Sequence, residues 1–211
     1  MSEYSLTIME KQLSKRQTEI IDAAIKLIGE GGIQALTIKN LSAEIGVAEA
    51  AIYRHFKSKT EVLSTLLDFL GNIIVSHYNN INDLKADCFV KIKKMISGQL
   101  KLFAENPPYA LVILSDGLYK NEKELHDKIF QIMQKARATF ISIIEEGQKA
   151  GEIRKDVSSD QIAFVIMGSV RLTTNQWSLS GFSFDLQKRG KILFNTLKTL
   201  IQDPDYFKRN K

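Results

Sequence analysis

The 211-residue sequence has little cysteine and no long apolar run. Its one cysteine, Cys88, excludes an internal disulfide and any metal cluster built from several cysteines, and it suits a reducing compartment. The three histidines lie far apart with no carboxylate at ligand spacing, so we expect no metal site. Because no run of about eighteen apolar residues occurs and the start is too polar for a secretory signal, we expect a cytoplasmic protein without a membrane span.

The patterns of an enzyme are also missing from the sequence. It has no glycine-rich phosphate loop, no nucleophile elbow and no histidine with an orienting partner. The acidic residues are scattered at the spacing that is typical of solvated helix surfaces. We therefore expect no catalytic residue and no cofactor, and a catalytic helical protein is the least favoured of three alternatives.

The net charge of +5 is unevenly distributed along the chain. Residues 1–63 carry eight Lys or Arg and eight Asp or Glu, whereas residues 64–211 carry 21 basic and 16 acidic residues. The bulk charge is therefore no evidence for nucleic-acid binding by the first part. A local group of basic side chains could still converge on phosphates. Its members are Lys39, Arg54, His55, Lys57 and Lys59.

Residues 37–59 predict a helix, a tight turn and a second helix. Thr37 can cap the first helix, Leu41 and Ile45 fall on one of its faces, and Gly46 tolerates the backbone of a sharp turn. The apolar residues that the second helix can bury are Val47, Ile52 and Phe56. The residues left on its outer face are Glu49, Ala50, Ala51, Tyr53, Arg54 and His55.

That outer face suits a DNA groove. Its alanines allow a close approach, and the longer side chains can reach base edges and phosphates. A solvated helix without a nucleic-acid partner is the alternative that the pattern leaves open. The segment resembles the helix-turn-helix of the TetR family of bacterial transcriptional regulators. The residues that carry the resemblance are Thr37, Gly46, Val47, Tyr53, His55, Phe56, Lys57, Ser58 and Lys59.

The resemblance implies a role for each candidate DNA-binding residue. Those that the resemblance implies at the phosphate backbone are Thr37, Lys39, Tyr53, His55 and Lys59, and Lys57 is expected there as a member of the local basic group. Those expected to face the bases are Glu49, Ala50, Ala51 and Arg54. The sequence departs from the family pattern at Ala48, where many members have Ser, and at Glu49, where many have a basic or neutral residue. A lost capping hydroxyl costs about 1 kcal/mol and a carboxylate repels phosphates, so we expect a distinct operator or moderate affinity.

The sequence predicts an all-α fold of about nine helices. Ser14 with Gln17, and Ser58 with Glu61, form capping boxes that open two of them, and polar residues 79–83 are expected to end the second. No segment alternates with the period of a strand for long enough. The predicted organisation is a flexible arm at residues 1–13, a helix-turn-helix DNA-binding domain at 14–63, and an effector-binding and dimerisation domain at 64–211.

The segment 160–180 is apolar on more than one face and must be covered on more than one side. The resemblance implies that it and residues 185–202 pair with their copies in a second subunit. Such a homodimer would read a pseudo-palindromic operator. The alternative is a central helix buried within a monomer.

The resemblance also implies a small-molecule effector between the helices of the larger domain. Candidate wall residues are apolar side chains at helical spacing, a pattern that plain core also shows: Phe103, Tyr109, Ile113, Phe130, Met133, Phe164, Met167 and Trp177. Arg171 interrupts an apolar helix, so it either needs an acidic partner or an anionic ligand, or it is a surface residue.

Together these features predict a ligand-responsive repressor that a small lipophilic effector releases from DNA, and an anionic effector if Arg171 lines the site. The alternative is a DNA-binding protein of the same fold that acts through a protein partner without small-molecule induction.

Overall fold

The computed structural model describes residues 13–115, 117 and 122–205, so the predicted arm at residues 1–13 lies outside this part except for Leu13. The described residues form nine α-helices and one 3-10 turn without a β-strand, which confirms the all-α prediction. The helices are α1 Lys15–Gly31, α2 Ile38–Ile45, α3 Glu49–Tyr53, α4 Lys59–Asn82, α5 Cys88–Glu105, α6 Pro107–Ile113, α7 Lys123–Lys149, α8 Ser159–Leu179 and α9 Leu186–Ile201. None of these described helices is both long enough and apolar enough to cross a bilayer.

The chain divides into two compact units. The first comprises residues 1–73 and 105–132, and the second comprises residues 74–104 and 133–211. Helices α4 and α7 have residues in both units. The division after residue 63 that the sequence suggests concerns function and stays a prediction.

Local capping and an apolar stripe explain helix α1 of the first unit. The Ser14 hydroxyl accepts a hydrogen bond from the Gln17 amide at 3.3 Å, and the Gln17 side chain accepts one from the Ser14 amide at 3.0 Å. This reciprocal pair is the predicted capping box. Ile20, Ala24 and Ile28 are fully buried, so the stripe packs inward as its spacing requires.

Within the first unit, α4 and α7 run side by side in the same direction. Ser64 donates a hydrogen bond to Glu124, and one turn later Lys128 Nζ lies 2.5 Å from Asp68 Oδ2. A methyl group on Gly71 would meet the Ile132 side chain, so the helix backbones approach closely there. The offset between contacting residues stays at about 60, which is the signature of parallel helices.

The second unit holds the end of α4, where the structure corrects the sequence. Polar residues 79–83 were expected to end this helix, but it continues through Asn82. Tyr78 and Ile81 are buried, and the Tyr78 hydroxyl donates to Gln99 while its ring meets Phe140 edge-on at 5.5 Å. Because these contacts bury the apolar side of the turn, packing outweighs the weak helix propensity of asparagine.

Cys88 opens α5 inside this core. Its amide donates to Glu152 Oε2 at 3.0 Å, and the Asp87 carboxylate accepts a hydrogen bond from the Val90 amide at 2.8 Å. Burial, together with the Glu152 carboxylate, raises the pKa of the thiol. The cysteine is therefore a protonated core residue and not a reactive thiolate.

Candidate nucleic-acid interface

Two short-range devices shape the turn between α2 and α3. The Thr37 hydroxyl accepts the Asn40 amide at 3.0 Å, and Gly46 ends α2 in the left-handed conformation at a φ of 75°. The Val47 amide then returns to the Ser42 carbonyl at 2.9 Å. Both devices were predicted from residue type, because a capping threonine and a left-handed glycine act on their immediate neighbours.

Helix α3 has one buried side and one open side. Ile52 and Phe56 are 1% and 2% exposed, whereas Tyr53 is 51% exposed. Ala48 has the backbone geometry of an N-cap, yet no side chain caps the helix. The sequence has alanine at this position instead of a residue with a hydroxyl, and the structure accordingly lacks the N-cap hydrogen bond of α3.

All ten predicted DNA-binding residues lie in the first unit between Thr37 and Lys59. Those that are exposed are Lys39, Glu49, Ala50, Tyr53, Arg54 and Lys57. Those that are half-buried are Thr37, Ala51, His55 and Lys59. Their contacts with DNA stay a prediction.

The loop before α4 differs in one bond from the expected capping box. The Ser58 hydroxyl accepts the Glu61 amide at 3.1 Å, as expected, but the Glu61 carboxylate accepts the Lys57 amide and not that of Ser58. The Glu61 carboxylate therefore holds the backbone at Lys57 in place. The Lys57 amide already donates to this carboxylate, so it is not available to another acceptor. Partial burial lowers the pKa of Lys59 beside it.

Two contacts that hold α2 were not predicted. Lys26 Nζ of α1 lies 2.5 Å from Glu44 Oε1, and the Asn40 side chain donates to the Ala35 carbonyl at 2.8 Å. The Lys26 and Glu44 positions are 18 residues apart, and no sequence periodicity links them. An asparagine three residues after a capping threonine is also a weak signal, since asparagine is common at helix starts.

The nine candidate effector residues do not all lie in one unit. Tyr109, Ile113 and Phe130 belong to the first, and the other six belong to the second. The buried ones are Phe103, Tyr109 and Trp177. The half-buried ones are Ile113, Met167 and Arg171, and the exposed ones are Phe130, Met133 and Phe164. Their shared role in a ligand site stays a prediction.

Tyr109 is the most polar of the buried candidates. Its side chain is 0% exposed, and its hydroxyl has no hydrogen-bond partner within the described part of the chain. Its ring meets Phe69 edge-on at 6.2 Å. Burial, with the Asp22 charge as a smaller cause, raises the pKa of Tyr109 to about 12. The hydroxyl is therefore a neutral group with unused hydrogen-bonding capacity.

Helices α8 and α9 of the second unit expose large apolar side chains. Phe164, Leu172 and Leu179 of α8 are 68%, 58% and 79% exposed, and Ile192 and Leu200 of α9 are similarly open. Their spacing of seven or eight residues places each set on one helix face. We call these five residues the apolar face.

Two family models together match almost the whole chain. The first, described as bacterial regulatory proteins of the tetR family, matches residues 20–66. The second, described as the C-terminal region of YsiA-like protein, matches residues 67–200. The matched stretches include the helix-turn-helix and the apolar face.

The relatives that align with most of this chain include proteins named for two different roles. The fatty acid metabolism regulator protein of Bacillus subtilis (strain 168) is 28% identical over 177 residues, which cover 83% of this chain and 90% of that protein. The nucleoid occlusion factor SlmA of Vibrio cholerae is 25% identical over 175 residues, which cover 82% and 89%. The crystal structure of the regulator FadR from B. subtilis in complex with stearoyl-CoA has a TM-score of 0.73 at 27% identity and covers 85% of this chain and 96% of that one.

Proposed function

The chain belongs to the TetR family of bacterial regulatory proteins, and on this premise we propose that it is a homodimeric repressor that a small lipophilic molecule releases from a pseudo-palindromic operator. The observation that carries the proposal is the open side of α3. There Tyr53 and Arg54 are exposed on a helix that Ile52 and Phe56 anchor in the core. A short helix held in this way can enter the major groove.

The predicted contacts divide into two kinds. Tyr53, Lys57 and Lys59 would meet phosphates, which orients the protein without reading sequence. Arg54 would reach base edges, where guanine offers it two acceptors. The Glu49 carboxylate has no ion-pair partner within the described residues and would favour a base edge with an amino donor over a phosphate.

Arg54→Ala and Lys59→Ala should therefore have different effects on binding. Lys59→Ala should weaken binding to every duplex and lower the slope of log affinity against log salt by about 1. Arg54→Ala should cost about 1–3 kcal/mol on the operator and relax preference at particular base pairs. Fluorescence anisotropy on the operator and on a scrambled duplex measures both effects. Equal losses on the two duplexes for Arg54→Ala would refute its role as a base reader.

For the effector, we propose a long-chain fatty acyl-CoA. The B. subtilis relative is named for fatty acid metabolism, and its structure was solved with stearoyl-CoA. A lipophilic, acidic ligand also agrees with the residue types of the predicted wall, where Arg171 interrupts apolar neighbours on α8. Helix α4 is continuous and has residues in both units, and we propose that it carries the response to the DNA-binding end.

The experiment that tests this function combines operator binding with ligand release. The labelled duplex upstream of the protein's own gene should bind with a clear preference over a scrambled duplex, and micromolar stearoyl-CoA should release it. Free coenzyme A, which carries the same phosphates without the acyl chain, is the control and should release none. If no acyl-CoA of any chain length lowers operator affinity, the effector proposal fails. Unchanged acyl-CoA affinity in Arg171→Ala would remove that residue from the site.

A second function is favoured by the relative named as a nucleoid occlusion factor. In that case the protein would bind DNA and act through a protein partner, without induction by a small molecule. Dose-dependent release from DNA by acyl-CoA separates the two, because only the repressor proposal requires it.

A further inference from the structure

The basic charge of this protein lies mostly in the unit without the helix-turn-helix. The first unit holds 11 basic and 14 acidic residues, whereas the second holds 18 basic and 10 acidic residues. The first unit is therefore net acidic although it carries the predicted operator contacts. Sequence-independent attraction to DNA depends on positive charge that faces phosphates. Because the net charge of the first unit is negative, this unit offers little sequence-independent attraction to DNA.

Much of the surplus lies on α5 and α9, which pack against each other in the second unit. Lys93 Nζ of α5 lies 5.9 Å from the centroid of the Phe194 ring of α9. Lys198 Nζ of α9 lies 5.0 Å from the centroid of the Phe89 ring of α5. Residue numbers rise along α5 as they fall along α9, so the helices are antiparallel. The rings hold the two ammonium groups along the seam between the helices.

Two more lysines extend this arrangement. Lys101 lies two turns beyond Lys93 on α5, and Lys191 lies two turns from Lys198 on α9, and both are exposed. We call Lys93, Lys101, Lys191 and Lys198 the lysine face. Helix α9 contains no acidic residue, and α5 contains only Glu105 at its last position.

Three of the four lysines of this face are uncompensated. Lys93, Lys191 and Lys198 have no carboxylate within ion-pair distance in the described part of the chain. Ser97 and Gln187, which lie on the same face, are neutral. Several cations of one sign close together repel one another, and an anionic partner would relieve that repulsion.

We propose that the lysine face is a second, sequence-independent contact surface for duplex DNA. With a rise of about 1.5 Å per residue, the lysines of each helix are about 10–12 Å apart, and packed helices are about 8–10 Å apart. That spacing is comparable to the roughly 12 Å width of the major groove between phosphate backbones. Lysine is a flexible point charge, which suits phosphates more than it suits base edges.

The other polyanionic partners fit this surface less well. A protein partner is usually anchored by large apolar or aromatic side chains, and a membrane surface needs side chains that insert. At the seam Phe194 is only 7% exposed and positions 97 and 187 are polar, and the exposed Val90, one turn before Lys93, is a single small aliphatic side chain. The large exposed apolar residues of α9, Ile192 and Leu200, belong to the apolar face. Contact with the phosphates of duplex DNA requires only positive charges, which the lysine face has.

Charge-neutralised variants of the full chain test this surface. The test variant carries Lys93→Gln, Lys191→Gln and Lys198→Gln. The control carries Lys135→Gln, Lys149→Gln and Lys155→Gln, which removes the same charge from exposed lysines of the same unit. The readout is the affinity for a random duplex of about 30 base pairs at several salt concentrations. Each lost phosphate contact lowers the salt slope by about 0.9, so the test variant should lose about 2–3 in slope and the control should lose much less.

Two outcomes would overturn this proposal. One is an equal slope in the test and control variants, which would make the lysine face an ordinary solvated surface. The other is a test variant that loses retention on poly-glutamate but not on DNA, which would identify an acidic protein as the partner. Operator preference is measured in the same samples as the ratio of operator to random affinity. A wild-type ratio near one would refute the repressor, whereas the difference in slope between the variants would still decide the lysine face.

Discussion

Leu172→Glu is expected to turn the proposed homodimer into a monomer and to lower operator affinity by about 100-fold or more. Leu172 is 58% exposed at the centre of the α8 part of the apolar face. One turn earlier, a methyl group in place of the Gly168 hydrogen would meet no other atom within 4 Å, so this side of α8 is open. If a second copy covers this face, the new carboxylate is buried without a partner, which typically costs about 3–5 kcal/mol. A monomer would hold one half-site instead of two.

Sedimentation velocity and operator anisotropy on the same samples measure this effect. Val90→Glu is the matched control, because Val90 is also an exposed apolar residue but lies on α5, away from the apolar face. It should sediment as the wild type does. A Leu172→Glu protein that sediments as a dimer would show that the apolar face is not the interface between copies.

Phe56→Ala is expected to lower the free energy of unfolding by about 3–5 kcal/mol. Phe56 is 2% exposed and lies three residues after the end of α3, so its ring anchors that end of α3 in the core of the first unit. Removing a buried ring loses its burial and leaves a cavity that neighbours fill only in part. Since domains are stable by about 5–15 kcal/mol, this loss is a large fraction of the total.

Urea denaturation followed by circular dichroism measures the loss, and Tyr53→Ala is its control. Tyr53 is an aromatic residue three positions earlier, but it is 51% exposed. Its removal should change the unfolding free energy by less than about 1 kcal/mol while it weakens binding to all duplexes. Equal destabilisation by the two substitutions would mean that Tyr53 also holds the fold.

Short-range signals explain why the helix-turn-helix of this protein can be predicted from the sequence. The caps at Ser14 and Thr37 and the left-handed Gly46 each act within four residues. Where a long-range contact outweighs a local preference, the prediction from the sequence is wrong. The asparagine-rich end of α4 stays helical because Tyr78 is packed against Phe140 and bonded to Gln99, both far along the chain.

The candidate effector residues show the same limit. Helical spacing made Tyr109 and Phe164 look alike, yet Tyr109 is fully buried and Phe164 is 68% exposed. Spacing predicts which residues share a helix face, but it does not say whether another part of the chain covers that face.

Residue order alone therefore determines the all-α class, the helix-turn-helix and the family, because these follow from caps, turns and periodicities that lie within one helix or its neighbour. Only the tertiary structure shows that Lys93 and Lys198 share a seam although they are about a hundred residues apart, and that Phe164 and Leu172 are left uncovered. The reason is physical. Burial and the meeting of distant charges depend on which helices pack together, and no local signal in the chain carries that information.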